Sequence, residues 1–344
     1  MKNLRLFYSN RQEHLVQALA EELKTPLSSP LKPEIIVVQS KGMERWISME
    51  LARTHGVAAN LKFPFPISLI YELFHALLPD LPENSPFDQN TMTWQIMHLL
   101  PRLENRQELA PLNNYLRSPS GLKMVQLSRR LAFLFDQYLV FRPEMILDWD
   151  QGKSNHFSEP AQAHALWQAL LWQKLAPERH DQHRAALKKE LHRALNHKKN
   201  IDFLPERISL FGISSLPRYY LEILDHLAAH IQVNIFFLNP SPLFWGDLPS
   251  KREQSKIIKE GRHLPEIDQE NSLLASWGEL GRDFLDTIYS LDLNPQEIDL
   301  FSEPERDTLL GRIQSDVFNL QSNTEQHLEP EPISGADLSL SIHS

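Results

Sequence analysis

Glu34-Ile35-Ile36-Val37-Val38-Gln39-Ser40-Lys41-Gly42-Met43-Glu44-Arg45-Trp46 is the stretch from which the fold is read. Ile35 to Val38 is a continuous β-branched run, the composition of a strand buried on both faces. Gln39-Ser40-Lys41-Gly42 interrupts it with small and polar residues. Met43, Trp46, Ile47, Met49, Glu50 and Leu51 then fall at helical spacing. After Phe63-Pro64-Phe65-Pro66 a further helix is predicted from near Ile67. Strand, turn and helix in this order belong to an open α/β sheet, in which ligands bind beyond the carboxyl ends of parallel strands. Gln39, Lys41 and the aromatics that follow are expected at such an end.

Upstream, Leu4-Arg5-Leu6-Phe7-Tyr8 alternates and reads as a first strand. Ser9-Asn10-Arg11 turns the chain, and Leu15, Leu19 and Leu23 form a helical stripe that packs on a sheet. Pro26 to Pro33 reads as a loop. Strand, helix, strand, helix predicts parallel pairing through right-handed crossovers. Residues 1–90 therefore read as the start of a doubly wound domain, closed by the proline-rich segment Leu78 to Pro86.

Downstream the period changes. Apolar residues recur at helical spacing in four blocks, Met92–Leu103, Leu122–Val140, Ala161–Leu175 and Arg184–Leu195. Residues 91–202 read as an all-helical inserted domain. The α/β grammar returns with Ile208-Ser209-Leu210-Phe211, a helix opened by Pro217 with Leu221, Leu224 and Leu227, and Val233 to Leu238. Residues 1–90 and 203–320 are thus expected to share one α/β sheet with flanking helices. Pro249 to Asn271 reads as a loop, Leu273 to Leu291 as one helix, and the polar, acidic residues 321–337 as a linker. Leu338, Leu340 and Ile342 alternate with polar residues, which predicts a strand opening a following domain, cut short at 338–344.

A length of 344 residues accommodates two domains. The net charge of −9 argues against coating nucleic acid through bulk charge, yet allows a local basic groove. Without cysteine there are no disulfides, thiolate nucleophiles or thiolate metal sites. Met1-Lys2-Asn3-Leu4-Arg5 lacks the apolar core of a signal peptide, and no apolar run approaches the roughly eighteen residues of a membrane span. A cytoplasmic protein is expected.

Two kinds of chemistry are weighed and set aside. A nucleotide-binding first strand needs a glycine-rich loop with lysine and Ser/Thr. The position holds Tyr8-Ser9-Asn10-Arg11-Gln12-Glu13, without glycine or lysine, and Glu13 repels phosphate. A metal-holding carboxylate belongs after a later strand, where Phe211-Gly212-Ile213-Ser214 stands instead. His180, His183, His192 and His197 offer paired imidazoles but no matching ligand set, so they read as a solvated helical face. The surrounding Arg179, Arg184, Lys188, Lys189, Arg193, Lys198 and Lys199 form a locally basic segment, either a solvated face or a phosphate contact. Met43 and Trp46 read as core. Lys41, Arg45, Phe65 and Tyr71 combine cations and aromatics at a strand end, the usual equipment for single-stranded nucleic acid.

Several stretches together resemble the RecC family, the gamma subunit of exonuclease V in the bacterial RecBCD helicase–nuclease. They are Tyr8-Ser9-Asn10-Arg11, Val38-Gln39-Ser40-Lys41-Gly42-Met43, Ala58-Ala59-Asn60, Phe63-Pro64-Phe65-Pro66, Leu134-Phe135-Asp136-Gln137-Tyr138-Leu139-Val140 with Arg142-Pro143, Phe211-Gly212-Ile213-Ser214, Leu273-Leu274-Ala275-Ser276-Trp277-Gly278 with Leu280-Gly281-Arg282-Asp283, and Ile313-Gln314-Ser315-Asp316. They occur in family order along the whole chain. The family's proteins are much longer, so the resemblance implies an amino-terminal portion.

The resemblance implies a superfamily 1 helicase-like fold with decayed ATPase motifs, no catalytic activity in this chain, and no cofactor of its own. ATP and Mg are expected only in partner subunits, RecB-like and RecD-like in a heterotrimer. The strand–turn–helix at Val37–Trp46 corresponds to a motif that touches single-stranded DNA, and the family passes the unwound 3′ strand through a channel to scan it for the Chi signal. By position the scanning surface includes Gln39, Lys41, Arg45, Phe65, Tyr71, Leu134, Asp136, Gln137, Arg142 and Arg184. Gln39, Leu134, Asp136, Gln137 and Arg142 match the family's residue types; Lys41, Arg45, Phe65, Tyr71 and Phe133 depart from them. Added cations strengthen phosphate contact while changed base contacts alter discrimination, so a different signal, or none, is expected to be read. The rivals are a scaffold that mainly holds the motor subunits and an active helicase.

Overall fold

The run that opens at Glu34 is a buried strand, β2 (Glu34–Val37), second from the edge of a six-stranded sheet. The structure, a computed structural model, describes residues 3–103, 106–116, 121–153, 161–175, 177–197, 201–248, 259–260, 271–291, 293–321 and 337–340. It divides into two units, Met1–Leu69 with Leu204–Ser344, and Ile70–Phe203.

The first unit carries β1 (Leu4–Ser9), β2, β3 (Leu61–Lys62), β4 (Arg207–Phe211), β5 (Gln232–Leu238) and β6 (Gln296–Asp299). Their order is β3-β2-β4-β5-β1-β6 and every pair is parallel. Register places Phe7 beside Phe236 and Phe236 beside Phe211. The Phe7 and Phe236 rings stack at 4.5 Å, Phe211 lies 5.8 Å from Phe236, and Trp46 lies 6.0 Å from Phe211. These aromatics form one core with Leu15, Val16 and Leu19 of α1 (Gln12–Leu23) and Ile47 and Leu51 of α2 (Lys41–His55). Strand alternation turns Phe237 to the opposite face, where it meets Phe284 at 5.2 Å.

In the second unit, among the described residues, only helices occur. α3 (Pro66–Leu77) enters it, followed by α4 (Gln89–Leu99), α5 (Ala110–Leu116), α6 (Gly121–Phe141), α7 (Pro143–Asp150), α8 (Ala161–Lys174) and α9 (Arg184–Asn196). Trp172 is the centre of its core, 5.1 Å from Phe87 and 5.5 Å from Phe135.

The first unit resumes with α10 (Arg218–Leu227), α11 (Ser272–Trp277), α12 (Glu279–Ser290) and α13 (Leu309–Phe318). The single helix expected over Leu273 to Leu291 is two. A Cβ at Gly278 would lie 2.5 Å from the Leu274 carbonyl and 2.8 Å from the Trp245 ring, so the break accommodates Trp245. Most of the loop expected over Pro249 to Asn271 lies outside the described residues. The strand expected from Leu338 is absent over 337–340; Ile342 lies outside the described residues. Asp337 accepts from the Leu309 amide at 2.6 Å and Ser339 from the Leu310 amide at 3.2 Å, so this segment caps α13. No helix among the described residues is long and apolar enough to cross a membrane.

Candidate nucleic-acid interface

The connection from β2 leads outward to β3, whereas that from β4 leads the other way to β5. Right-handed crossovers then send the two connections to opposite faces, which opens a crevice between the ends of β2 and β4. Gln39 stands in it, its Nε2 donating to the Ser215 carbonyl at 3.2 Å and joining the two loops. Ser40 caps α2, its hydroxyl accepting from the Met43 amide at 3.1 Å. That turn puts Lys41 and Arg45 on the exposed first turns of the helix. Beneath it Met43 packs on Gly212, whose φ is +61°.

The Phe63–Pro66 loop is drawn beside β2 because the Val38 amide donates to the Pro64 carbonyl at 3.2 Å. Phe65 is 38% exposed there, and Lys41 Nζ stands 6.0 Å from its ring centroid. Lys41 also pairs with Glu44 at 2.7 Å. Arg45 is exposed and has no ion-pair partner among the described residues. Gln39, Lys41, Arg45 and Phe65 are therefore brought together at one strand end.

The other six expected residues lie in the second unit. Tyr71, Asp136 and Arg184 are brought together there. Arg184, 9% exposed at its side chain, forms an ion pair with Asp136. Burial pushes the Asp136 carboxyl up, against the opposing effect of Arg184, and it likewise pushes the half-buried Tyr71 phenol up. Leu134 packs on the core, Gln137 is half-buried, and exposed Arg142 precedes α7.

The basic segment is not an exposed cationic face along its length: Arg184 and Lys188 are buried, and Arg193 pairs with Glu190 at 2.6 Å. Lys198 and Lys199 lie outside the described residues. His180 and His183 correct the solvated-face expectation more sharply, whereas His197 is exposed as expected. His183 is fully buried; its Nδ1 accepts from the Ala186 amide at 3.1 Å, so Nε2 carries the proton and donates to Asp150 at 2.7 Å. His180 places Nδ1 2.6 Å from Asp150 and Nε2 2.9 Å from the Leu175 carbonyl. Both of its partners are acceptors, which calls for an imidazolium. The hydrogen bond to Asp150 holds His180 above its ordinary value. Burial alone would raise Asp150, yet hydrogen bonds from His180, His183 and Trp172 hold it well below the usual carboxylate range. This is a structural hub. Among the described residues no group of three ligands suited to a metal occurs.

The loop after β1 is stitched to the segment after β6. Ser9 donates to the Leu300 carbonyl at 2.9 Å, Asn10 to the Ser302 carbonyl at 2.8 Å, and Arg11 Nε to the Ser302 hydroxyl at 3.1 Å. A cavity of about 460 Å³ beside it is lined by Asn10, Arg11, Leu238, Leu273, Ile313 and Val317 among others.

Sequence reading did not find the Ser215 carbonyl, which no residue type announces, or Glu44 as the partner of Lys41, for which the three-residue spacing was a signal. Nor did it find Asp150, a carboxylate far along the chain from its histidines.

The family described as RecC, N-terminal domain, matches residues 4–320. The chain is 36% identical over 366 aligned residues to the RecBCD enzyme subunit RecC of Escherichia coli K12, covering 97% of this chain and 32% of that protein. It is 32% identical to the corresponding subunit of Haemophilus influenzae, with 98% and 35% covered, and 31% identical to that of Mycolicibacterium smegmatis, with 91% and 28% covered. The chain thus spans about a third of the length of these relatives.

Proposed function

The chain belongs to the RecC family, and on that premise we propose that it is the non-catalytic, DNA-holding part of a RecBCD-type helicase–nuclease that serves double-strand-break repair by homologous recombination in the cytoplasm. It grips the unwound 3′ single strand at the end of β2 and scans it for a Chi-like signal. RecB-like and RecD-like subunits supply ATP, Mg and the motor chemistry. The α/β unit, Met1–Leu69 with Leu204–Ser344, is a helicase-like fold with a decayed ATP site. The second unit, Ile70–Phe203, is its inserted helical domain.

The observation that carries this reading is the Lys41–Phe65 pair beside Gln39 and Arg45 at the crevice. A cation over an exposed ring meets phosphate and base together, the combination a single strand requires. Fixed side-chain bonds in the loop after β1, where an ATPase places phosphate-binding amides, support the absence of turnover.

The test is photocrosslinking of a 3′-tailed duplex on the assembled complex. Lys41→Ala with Arg45→Ala is expected to weaken the hold on the strand and to reduce its salt slope by about 0.7 for each phosphate no longer neutralised. Unchanged crosslinking and unchanged signal-dependent pausing would sink the DNA-holding reading. The cations added at Lys41 and Arg45 further predict pausing at a sequence other than the enterobacterial Chi octamer; pausing at that octamer contradicts this part. ATP turnover by the isolated chain would refute the non-catalytic assignment.

A second reading, a scaffold for the motor subunits, is favoured by an apolar surface around Leu238, Leu273, Leu280 and Trp277, the last 83% exposed.

A further inference from the structure

Leu238 at the end of β5 and Leu273 and Trp277 of α11 line an apolar groove of about 370 Å³ in the first unit. Trp277 is 83% exposed, and Leu280 at the start of α12 is 63% exposed. The exposed acids of α12 lie beside them. Glu279, Asp283 and Asp286 recur at i, i+4 and i+7, which puts all three on one side of the helix. None of the three has an ion-pair partner among the described residues. α11 carries no charge, and the single cation of α12, Arg282, is buried and donates to the Leu248 carbonyl.

An exposed tryptophan among leucines marks a surface that a protein partner covers, and the acids decide which partner can cover it. They repel phosphate, which sets this face apart from the β2 end, and they attract Lys or Arg. A second copy seated face to face would set acid against acid. Contacts between domains of one chain are comparatively polar, whereas permanent contacts between subunits are apolar and centre on Trp, Tyr or Arg. We propose that the α11–α12 face is a permanent docking surface for another subunit of the assembled complex, which lays an amphipathic helix in the groove. The apolar ridge of that helix covers Leu273 and Trp277, and Lys or Arg on its flank pair with Glu279, Asp283 and Asp286. The inference rests on the scaffold reading above and assigns it a surface and the chemistry of the segment held.

The test uses the full-length chain and its separately purified partner subunits. Trp277→Ala is expected to weaken assembly about 30-fold, the loss of a central anchor. Asp283→Asn with Asp286→Asn should slow association and flatten its dependence on salt, with little change in dissociation. Trp277, Asp283 and Asp286 are exposed, so both variants keep the fold. In the assembled complex, p-benzoylphenylalanine in place of Leu280 should crosslink to a segment of another subunit that mixes apolar residues with Lys or Arg. An adduct within the same polypeptide, to a second copy or to DNA overturns the proposal. Wild-type assembly by both variants also overturns it and leaves a scaffold that acts through other surfaces. Failure of the unaltered chain to assemble with any partner subunit removes the scaffold reading as well.

Discussion

At Gly212 the backbone takes φ +61°, and an added Cβ would stand 3.1 Å from Met43 Cε and 3.3 Å from Gln12 Nε2. A side chain there meets two obstacles, a left-handed backbone and a crevice floor already filled by Met43. Gly212→Ala is expected to lower stability by about 1–3 kcal/mol in denaturant titration, and to loosen the loop that Gln39 holds. A neutral result would mean that Met43 swings aside at no cost. Lys41 is in the opposite situation. Its pair with Glu44 is exposed and contributes at most about 1 kcal/mol, so exchanging Glu44 for a phosphate costs little.

Among the elements, β2, β4 and the end of α1 are joined by one guanidinium. Arg207 is 4% exposed at its side chain; it forms a two-pronged ion pair with Glu34 and donates to the Glu22 carbonyl at 2.8 Å and the Thr25 carbonyl at 2.9 Å. The last two bonds satisfy carbonyls at and just beyond the end of a helix. Arg207→Ala leaves Glu34 without this partner in a mostly buried site, and a loss of about 3–5 kcal/mol is expected in equilibrium unfolding. A loss below about 1 kcal/mol, the range of a solvated pair, would show that water replaces the guanidinium.

The elements also show what a sequence can and cannot disclose. β2 was legible as a continuous apolar run, β1 by its alternation, and β4 and β5 as short, mostly apolar runs that include Ser209 and Asn234. α6 and α9 were legible because each carries a sustained stripe, and α8 because apolar residues run along its whole length. β6 was missed because Gln296-Glu297-Ile298-Asp299 is an edge strand with mostly exposed side chains, so its composition is that of a loop. β3 has two residues and α7 eight, too short for a period to emerge. At the candidate interface the residue types were legible at Lys41 and Phe65. Their meeting was not, since it depends on the Val38–Pro64 backbone bond, to which side chains contribute no signal.

For the molecule as a whole, the Asp150 hub sets a pH window for the second unit. His180 titrates above its ordinary value of 6.5 when folded, so its contribution is complete below about that pH and is lost as pH rises through the raised value. Asp150 titrates below its ordinary 3.8, so its contribution is complete above that pH and is lost as pH falls through the lowered value. Thermal unfolding followed by tryptophan fluorescence should therefore show this unit weakening as pH rises above about 6.5 through the raised value, and His180→Gln should flatten that limb. Equal slopes there in the two proteins would exclude His180 as the source.

The sheet order has a consequence for how the chain comes off the ribosome. β1 ends at Ser9, yet its neighbour β5 begins at Gln232; β2 ends at Val37, and its neighbour β4 begins at Arg207. The first two strands made are not neighbours and must wait for both later ones to come between them. At about 5–20 residues per second the wait of β1 lasts about 10–45 s. The helices whose core is drawn from Phe87 to Ala185 need nothing beyond their own stretch and can condense in that interval. For the nascent protein, the hazard is an apolar β1 and a β-branched β2 waiting for these neighbours, and the polar turns on either side of Ile35–Val38 are local protection against pairing with the wrong chain.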